Sequence, residues 1–265
     1  MAFRSFQPFP GVWHIQDAMG VCMTLLAGRR RALLVDTGYG VEDVGAYVRS
    51  LTDRPLTVML THGHHDHALG ARWFEAVRLL PEDFPVYETY TGGFWRRDVW
   101  AGAQSRGFTE EEAFLSAAMP PALPLLAGEE DLGGLTARII PCPGHTPGSA
   151  VVYVPERKLL LTGDNWNPCT WLFFKEALPA RAYRENVAGL LTLPFEKALC
   201  AHQFQLFDRS VPECFIRGLT DAALDAAVPS EAGGRVGTEA RQAALPMEQV
   251  FVFDWQKYQH GGTQA

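Results

Sequence analysis

The chain has 265 residues, 47% of them hydrophobic and 11% aromatic, which supports a sizeable buried core and excludes intrinsic disorder. Its formal net charge is -7, from 23 basic against 30 acidic residues, which disfavours a general nucleic-acid binder; the one tight basic cluster, Arg29-Arg30-Arg31, reads as a solvated hairpin turn. The five cysteines lack any C-x-x-C pair, the N-terminus has no apolar signal region, and no apolar run approaches the ~20 residues of a membrane span, so the expectation is a cytoplasmic protein with free thiols and no membrane contact.

In chain order, strand-like runs come first at Val12–Ile15, Val21–Ala27 and Arg31–Asp36, the last two joined by the arginine turn. Val41 to Leu51 has helical spacing, with Val44, Val48 and Leu51 on one face. Thr57–Leu60 reads as a buried strand that runs directly into Thr61-His62-Gly63-His64-His65-Asp66-His67; Ala68–Phe74 reads as a helix and Val86–Glu88 as a strand. Residues 89–127, with Trp, Gly and Arg and then an acidic helix start at Glu110–Glu112, read as a helical excursion over a site. Strands are expected at Leu135–Ile140, Ala150–Val154, Lys158–Thr162, Lys197–Ala201 and Val250–Phe253, helices at 180–193 and 211–228, and a loop at Gly233–Gly237. No linker separates two halves, so residues 1–265 read as one domain with 206–265 as a C-terminal appendage, and residues 229–265 are a candidate homodimer contact.

Four of the chain's eight histidines fall in residues 62–67. Neutral imidazoles and carboxylates are the donors that hold zinc, iron and similar divalent metals, so this cluster points to metal chemistry. Further candidates stand at other strand ends: His145 in Pro143-Gly144-His145-Thr146-Pro147-Gly148, Asp164 after strand 158–162, and His202 after strand 197–201. Loops at one edge of a rigid sheet are where α/β proteins place their chemistry. His65 faces away from its neighbours and is not expected to be a ligand, and His14 reads as an ordinary core histidine.

The pattern His62-x-His64-x-Asp66-His67, then His145, Asp164 and His202, resembles the binuclear signature of the metallo-β-lactamase-fold hydrolases over residues 12–205. That resemblance implies an α/β fold, a four-layer αββα sandwich of two mixed β-sheets flanked by helices. It implies two divalent metal ions, zinc foremost with iron or manganese as alternatives. His62, His64 and His145 would hold the first, Asp66, His67 and His202 the second, and Asp164 would bridge, with Asp36 supporting the ligand loops. Ala201 stands beside His202 where the family often has glycine, which bears on loop geometry. Carboxylates Asp66 and Asp164, with no thiolate ligand, favour glyoxalase II-like and lactonase-like branches over the thiolate-bearing lactamases.

The expected activity is hydrolysis of a small carbonyl substrate (ester, thioester, lactone or β-lactam) by a metal-bridging hydroxide, with Asp66 as the catalytic carboxylate that orients it and shuttles a proton. A phosphodiesterase or nuclease of the same fold is the alternative, lowered by the acidic charge, and a di-iron redox protein would need an attached redox domain. Trp166, Asn167, Trp171, Phe173 and Phe174 are expected to edge the pocket, and Trp95, Trp100, Arg96 and Arg97 to cover it.

Overall fold

The computed structural model describes residues 3–261; residues 1–2 and 262–265, the two ends of the expected domain, lie outside the described residues. A first sheet has seven strands in sequence order: β1 (Arg4–Phe9), β2 (Val12–Gln16), β3 (Cys22–Ala27), β4 (Ala32–Val35), β5 (Leu56–Met59), β6 (Val77–Leu79) and β7 (Ala122–Pro124). The first four pair antiparallel, as short turns dictate, while β4 through β7 run parallel because helical connections return the chain each time. A second sheet contains β8 (Gly128–Asp131), β9 (Thr136–Pro141), β10 (Ala150–Val154) and β11 (Leu159–Leu161). The chain then forms β12 (Cys169–Leu172), returns to the second sheet with β13 (Lys197–Leu199) and β14 (Phe207–Asp208), and continues to β15 (Val228–Ser230), β16 (Ala240–Leu245) and β17 (Gln249–Asp254). The second sheet has the order β14-β13-β11-β10-β9-β8, and a third, four-stranded sheet the order β12-β17-β16-β15.

Side-chain alternation builds the layers. Leu26, Leu33, Val35 and Met59 of the first sheet pack against Ile139, Val152, Val154 and Leu161 of the second, forming a continuous apolar seam between them. Their neighbours Leu25, Leu34 and Val58 face the other way and pack with Val44 and Val48 of helix α1 (Val44–Leu51), which Asp43 caps by accepting from the Ala46 amide. On the far side of the second sheet, Val151, Tyr153 and Leu160 meet Tyr183, Val187, Phe215 and Phe251. Complete burial of each such side chain contributes about 1.5–3 kcal/mol, which makes this layering the main source of cohesion. Helix, sheet, sheet and helix therefore stack as the αββα arrangement that the resemblance implies.

The remaining helices are α2 (His65–Ala68), α3 (Phe84–Tyr90), α4 (Gly93–Gln104), α5 (Glu111–Leu115), α6 (Ala180–Ala188), α7 (Ser210–Gly218), α8 (Asp221–Asp225) and α9 (Trp255–His260). Three local expectations are corrected. Val86–Glu88 is helix, not strand: Pro85 pre-sets the first turn, and Val86, Tyr87 and Tyr90 bury one helical face; the parallel strand of this region is Val77–Leu79 instead. The helix expected over 211–228 breaks at Leu219, and Thr220 starts α8 by capping the Ala223 amide. Residues 231–236 form a 3-10 helix in place of the expected loop. Within 89–127, α4 and α5 pack through Val99, Trp100, Ala103 and Phe114, and β7 then joins the edge of the first sheet. All five cysteines are free, and no helix among the described residues is long and apolar enough to cross a membrane.

Topology gathers the site. Strand β10 is antiparallel to both β9 and β11, and β11 is parallel to β13, so β9, β11 and β13 all end at the same edge. Bonds from the Ala150 amide to the Thr61 carbonyl (2.9 Å) and from the Cys22 amide to the Ala201 carbonyl (2.7 Å) tie that edge to the first sheet.

Candidate metal centre

Each strand-end loop delivers a donor. Asp36 follows β4, residues 61–67 follow β5, His145 follows β9, Asp164 follows β11 and His202 follows β13. All seven residues expected as ligands are brought together in two groups: His62, His64 and His145, and then Asp66, His67, Asp164 and His202. Within each group the donor atoms lie within 4.8 Å of one another. Asp164 reaches both groups: its Oδ2 lies 3.0 Å from His202 Nε2 and 3.7 Å from His145 Nε2, and its Oδ1 lies 3.4 Å from His67 Nε2.

The outward ring nitrogens of four of the five gathered histidines are occupied. His62 Nδ1 contacts Thr61 Oγ1 at 3.1 Å, His64 Nε2 contacts Glu176 Oε1 at 2.5 Å, His145 Nδ1 contacts the Trp171 carbonyl at 2.6 Å, and His67 Nδ1 contacts Asp36 Oδ2 at 2.9 Å. The Thr61 hydroxyl donates to Asp36, so the proton between Thr61 and His62 belongs to the imidazole. The rings of His62, His64 and His145 therefore carry their proton outward and turn a lone pair inward, whereas the carboxylates around His67 favour its charged form, whose inward proton a bound cation would displace.

Inside the site those lone pairs have no donors. His62 Nε2, His67 Nε2 and Asp164 Oδ1 are buried without a hydrogen-bond partner, and the two bare nitrogens His64 Nδ1 and His145 Nε2 face each other at 2.9 Å. Buried acceptors left unpaired cost about 1–3 kcal/mol each, and a convergent set of them is satisfied by a cation. The residues present thus fit a divalent metal pair in donor type and direction.

The electrostatics divide the two groups. Burial, reinforced by the neighbouring His67, His64 and His145, holds His62 well below the ordinary histidine pKa, and burial lowers His64 to about 4. Both are neutral bases, the form that ligates metals. In the second group burial opposes charge on every member, but the carboxylates Asp164, Asp36 and Asp66 outweigh it and raise His67, while His202 and His67 in turn hold Asp164 well below the usual carboxylate range.

Two loop glycines are sterically required. A Cβ on Gly63 would lie 2.4 Å from the Tyr87 amide nitrogen, and Gly163 has φ +53 with Thr61 Oγ1 2.7 Å from where a Cβ would stand. Ala201 replaces the glycine often found beside the last histidine, and the loop still brings His202 onto Asp164. Asp36 itself sits at φ 66, a left-handed conformation that Asp tolerates better than most residues, and accepts from both the amide and the hydroxyl of Thr61.

Above the donors lies a cavity of about 710 Å³, lined by Tyr39, Trp95, Trp171, Phe173 and Phe174 among others. Asn167 lines it as expected, but Trp166 does not: it is fully buried, packs edge-on to Phe207 and donates to Gln249 Oε1 at 3.0 Å. Trp100 packs on Phe114, and Arg96 is committed to the carbonyls of Thr91, Leu115 and Ala117. His65 stands outside both donor groups and forms cavity wall, stacked on Trp95 with ring centroids 5.0 Å apart.

Two carboxylates that sequence reasoning missed complete the centre. Asp83 accepts from the Gly63 amide (2.7 Å), the Gly148 amide (2.7 Å) and the Thr146 hydroxyl (2.9 Å), clamping together the two histidine loops. Glu176 meets His64. Neither lies in a recognisable motif; the only local hint is that Asp83 ends the turn-forming Pro81-Glu82-Asp83.

The chain is 27% identical over 153 residues to the acyl-coenzyme A thioesterase MBLAC2 of Gallus gallus, covering 53% of this chain and 55% of that protein, so it matches little more than half of that relative's length. It is 29% identical over 203 residues to the hydroxyacylglutathione hydrolase of Pseudomonas aeruginosa (strain LESB58), covering 74% of this chain and 62% of that one. The fold is shared with a metallo-beta-lactamase family protein of Thermus thermophilus, with a TM-score of 0.58 and 23% identity over 83% of this chain and 82% of that one. The family model described as the metallo-beta-lactamase superfamily matches residues 18–202, most of the chain and all seven of the gathered donors, and the chain therefore belongs to the metallo-beta-lactamase superfamily.

Proposed function

We propose that this chain, acting as a single domain, is a binuclear metal-dependent hydrolase of a small carbonyl substrate, with an ester or thioester first and a lactone or β-lactam next. The observation that carries the reading is the inward convergence of unpartnered donors in two groups that share Asp164. His62, His64 and His145 would hold one ion, and Asp66, His67 and His202 the other; zinc is the first choice for this nitrogen and oxygen set, with iron and manganese as alternatives. Bound there, divalent ions supply Lewis acidity that polarises a carbonyl oxygen and acidifies water. The names of two relatives, an acyl-coenzyme A thioesterase and a hydroxyacylglutathione hydrolase, support an acyl substrate.

The chain's own residues have distinct tasks in this reading. Asp66 lines the cavity, with Oδ2 3.6 Å from His202 Nε2 and 3.7 Å from His67 Nε2. Burial opposes its charge, yet His67, His65 and His202 outweigh that and keep it ionised, so Asp66 can orient the attacking water and accept its proton. The rings of Trp95, Trp171, Phe173 and Phe174 offer apolar faces for the acyl group and exclude bulk water.

The test is elemental analysis of the purified protein together with turnover of 4-nitrophenyl esters, acyl thioesters, lactones, nitrocefin and bis-4-nitrophenyl phosphate, for wild type, His64→Ala and Asp164→Ala. Two bound ions, and ester or thioester turnover lost in both variants, are expected. Full activity in metal-free protein would sink the reading, and a preference for the phosphodiester would replace it with a phosphodiesterase.

A further inference from the structure

Resting on the metal-site reading above, we infer that Glu176 is the positioning carboxylate of His64, and that the C-terminal helix α9 holds it there through Lys257. Glu176 lies in the connection between β12 and α6. Its Oε1 is 2.5 Å from His64 Nε2, and both side chains are largely buried.

The physical consequence concerns the tautomer. A neutral imidazole has one proton and two candidate nitrogens. With a carboxylate at Nε2 the proton stays there, and the Nδ1 lone pair is presented to the first donor group. Without that carboxylate the proton can move to Nδ1, where it would be donated across the 2.9 Å gap to His145 Nε2. Such a pair satisfies itself and removes two of the three nitrogens from ligation at once.

The loop carrying Glu176 is fixed from outside the family-matched region 18–202. Lys257 directs its ammonium group at three carbonyls, those of Phe174 (2.9 Å), Lys175 (2.7 Å) and Ala177 (2.8 Å), which flank Glu176. All three N–H donors of a lysine are thereby used on one short segment. Upstream, β12 pairs in parallel with β17, from Cys169 opposite Val250 to Leu172 opposite Phe253. Alongside the bond from the Leu178 amide to the Gly144 carbonyl (2.8 Å), these two attachments of the loop come from the C-terminal segment, which makes that segment part of the metal centre's support.

The test uses full-length wild type, Glu176→Ala, Glu176→Gln and Lys257→Met, stripped of metal and titrated with Co2+ and Zn2+ against a competing chelator. The Co2+ absorption spectrum and the metal-free melting temperature are recorded in parallel. Glu176→Ala is expected to weaken one of two ions by about 10–100-fold and alter its Co2+ spectrum, as loss of a ligand's supporting partner generally does. The other ion should stay within about twofold. Glu176→Gln, which keeps a neutral acceptor for the Nε2 proton, should recover most of the loss, and Lys257→Met should weaken the same ion by less than Glu176→Ala.

The inference is overturned if Glu176→Ala binds both ions like wild type, or weakens both equally alongside a matching fall in melting temperature. Should Glu176→Ala fail to fold, Glu176→Gln and Lys257→Met carry the test, and wild-type affinity in both overturns it. A wild type that binds no divalent metal refutes the metal reading itself, whereas two wild-type ions with insensitive variants refute only the role of Glu176 and Lys257.

Discussion

Replacing Asp83 with alanine tests whether the two histidine loops are held by one buried carboxylate. Asp83 is fully buried, and burial raises its pKa, although its bonds with Thr146, Gly148 and Gly63 pull the other way. In Asp83→Ala the amides of Gly63 and Gly148 lose their side-chain acceptor, while the Thr146 hydroxyl keeps Ser149 Oγ at 2.8 Å. Two orphaned buried donors at about 1–3 kcal/mol each give a loss of about 4 kcal/mol. Asp83→Asn keeps one oxygen but turns an NH2 group toward a donor, so about half that loss is expected. Urea unfolding of the metal-free protein at pH 7, followed by circular dichroism, measures both. A cost below about 1 kcal/mol for Asp83→Ala would refute the clamp.

Three further outcomes are expected. Asp36→Ala should weaken metal binding by about 10–100-fold, measured by chelator competition, because His67 Nδ1 and the Thr61 hydroxyl lose their shared acceptor; wild-type affinity would contradict this. His14 is buried and lowered to about 4, so the unfolded chain binds more protons between pH 6.5 and about 4; the stability this residue contributes is complete above pH 6.5 and is lost as pH falls toward 4. Between pH 7 and pH 5 wild type should therefore lose about 2 kcal/mol more than His14→Gln, a comparison in which the opposing titration of Asp17, raised to about 6 by burial, cancels; equal pH slopes in urea unfolding would refute it. Gly70→Ala would put a Cβ 1.9 Å from the Thr37 carbonyl oxygen and should cost about 3 kcal/mol or more, checked by thermal unfolding.

The donor set is legible in the sequence because its members are tied to local patterns. Five short apolar runs are followed within four residues by Asp36, His62, His145, Asp164 and His202, and a strand with a polar residue close behind it is readable without the fold. The layer arrangement is implied by the resemblance that these residues carry, and the structure shows alternate residues of the runs feeding two different apolar seams. Misreadings arise where local propensity opposes tertiary packing. Val86 and Tyr87 favour strands by type, yet Pro85 and the buried face with Tyr90 make them helical. Trp166 reads as pocket wall from its proximity to Asp164, but its buried position points it into the core behind the site.

The sequence by itself determined which residues can hold metal and the order in which strand ends deliver them, because a ligand's chemistry and its place after a strand are local properties. Tertiary structure decided which proton His64, His67 and His145 keep. That choice depends on Glu176, 112 positions from His64, on Asp36, 31 positions from His67, and on the Trp171 carbonyl, 26 positions from His145, while the loops themselves are held by Asp83 reaching 65 positions to Gly148 and Lys257 reaching back 83 positions to Phe174. No periodicity or motif encodes such pairings. They exist only because the packed sheets bring distant loops to one edge, where a buried donor must find an acceptor from whatever segment the fold supplies.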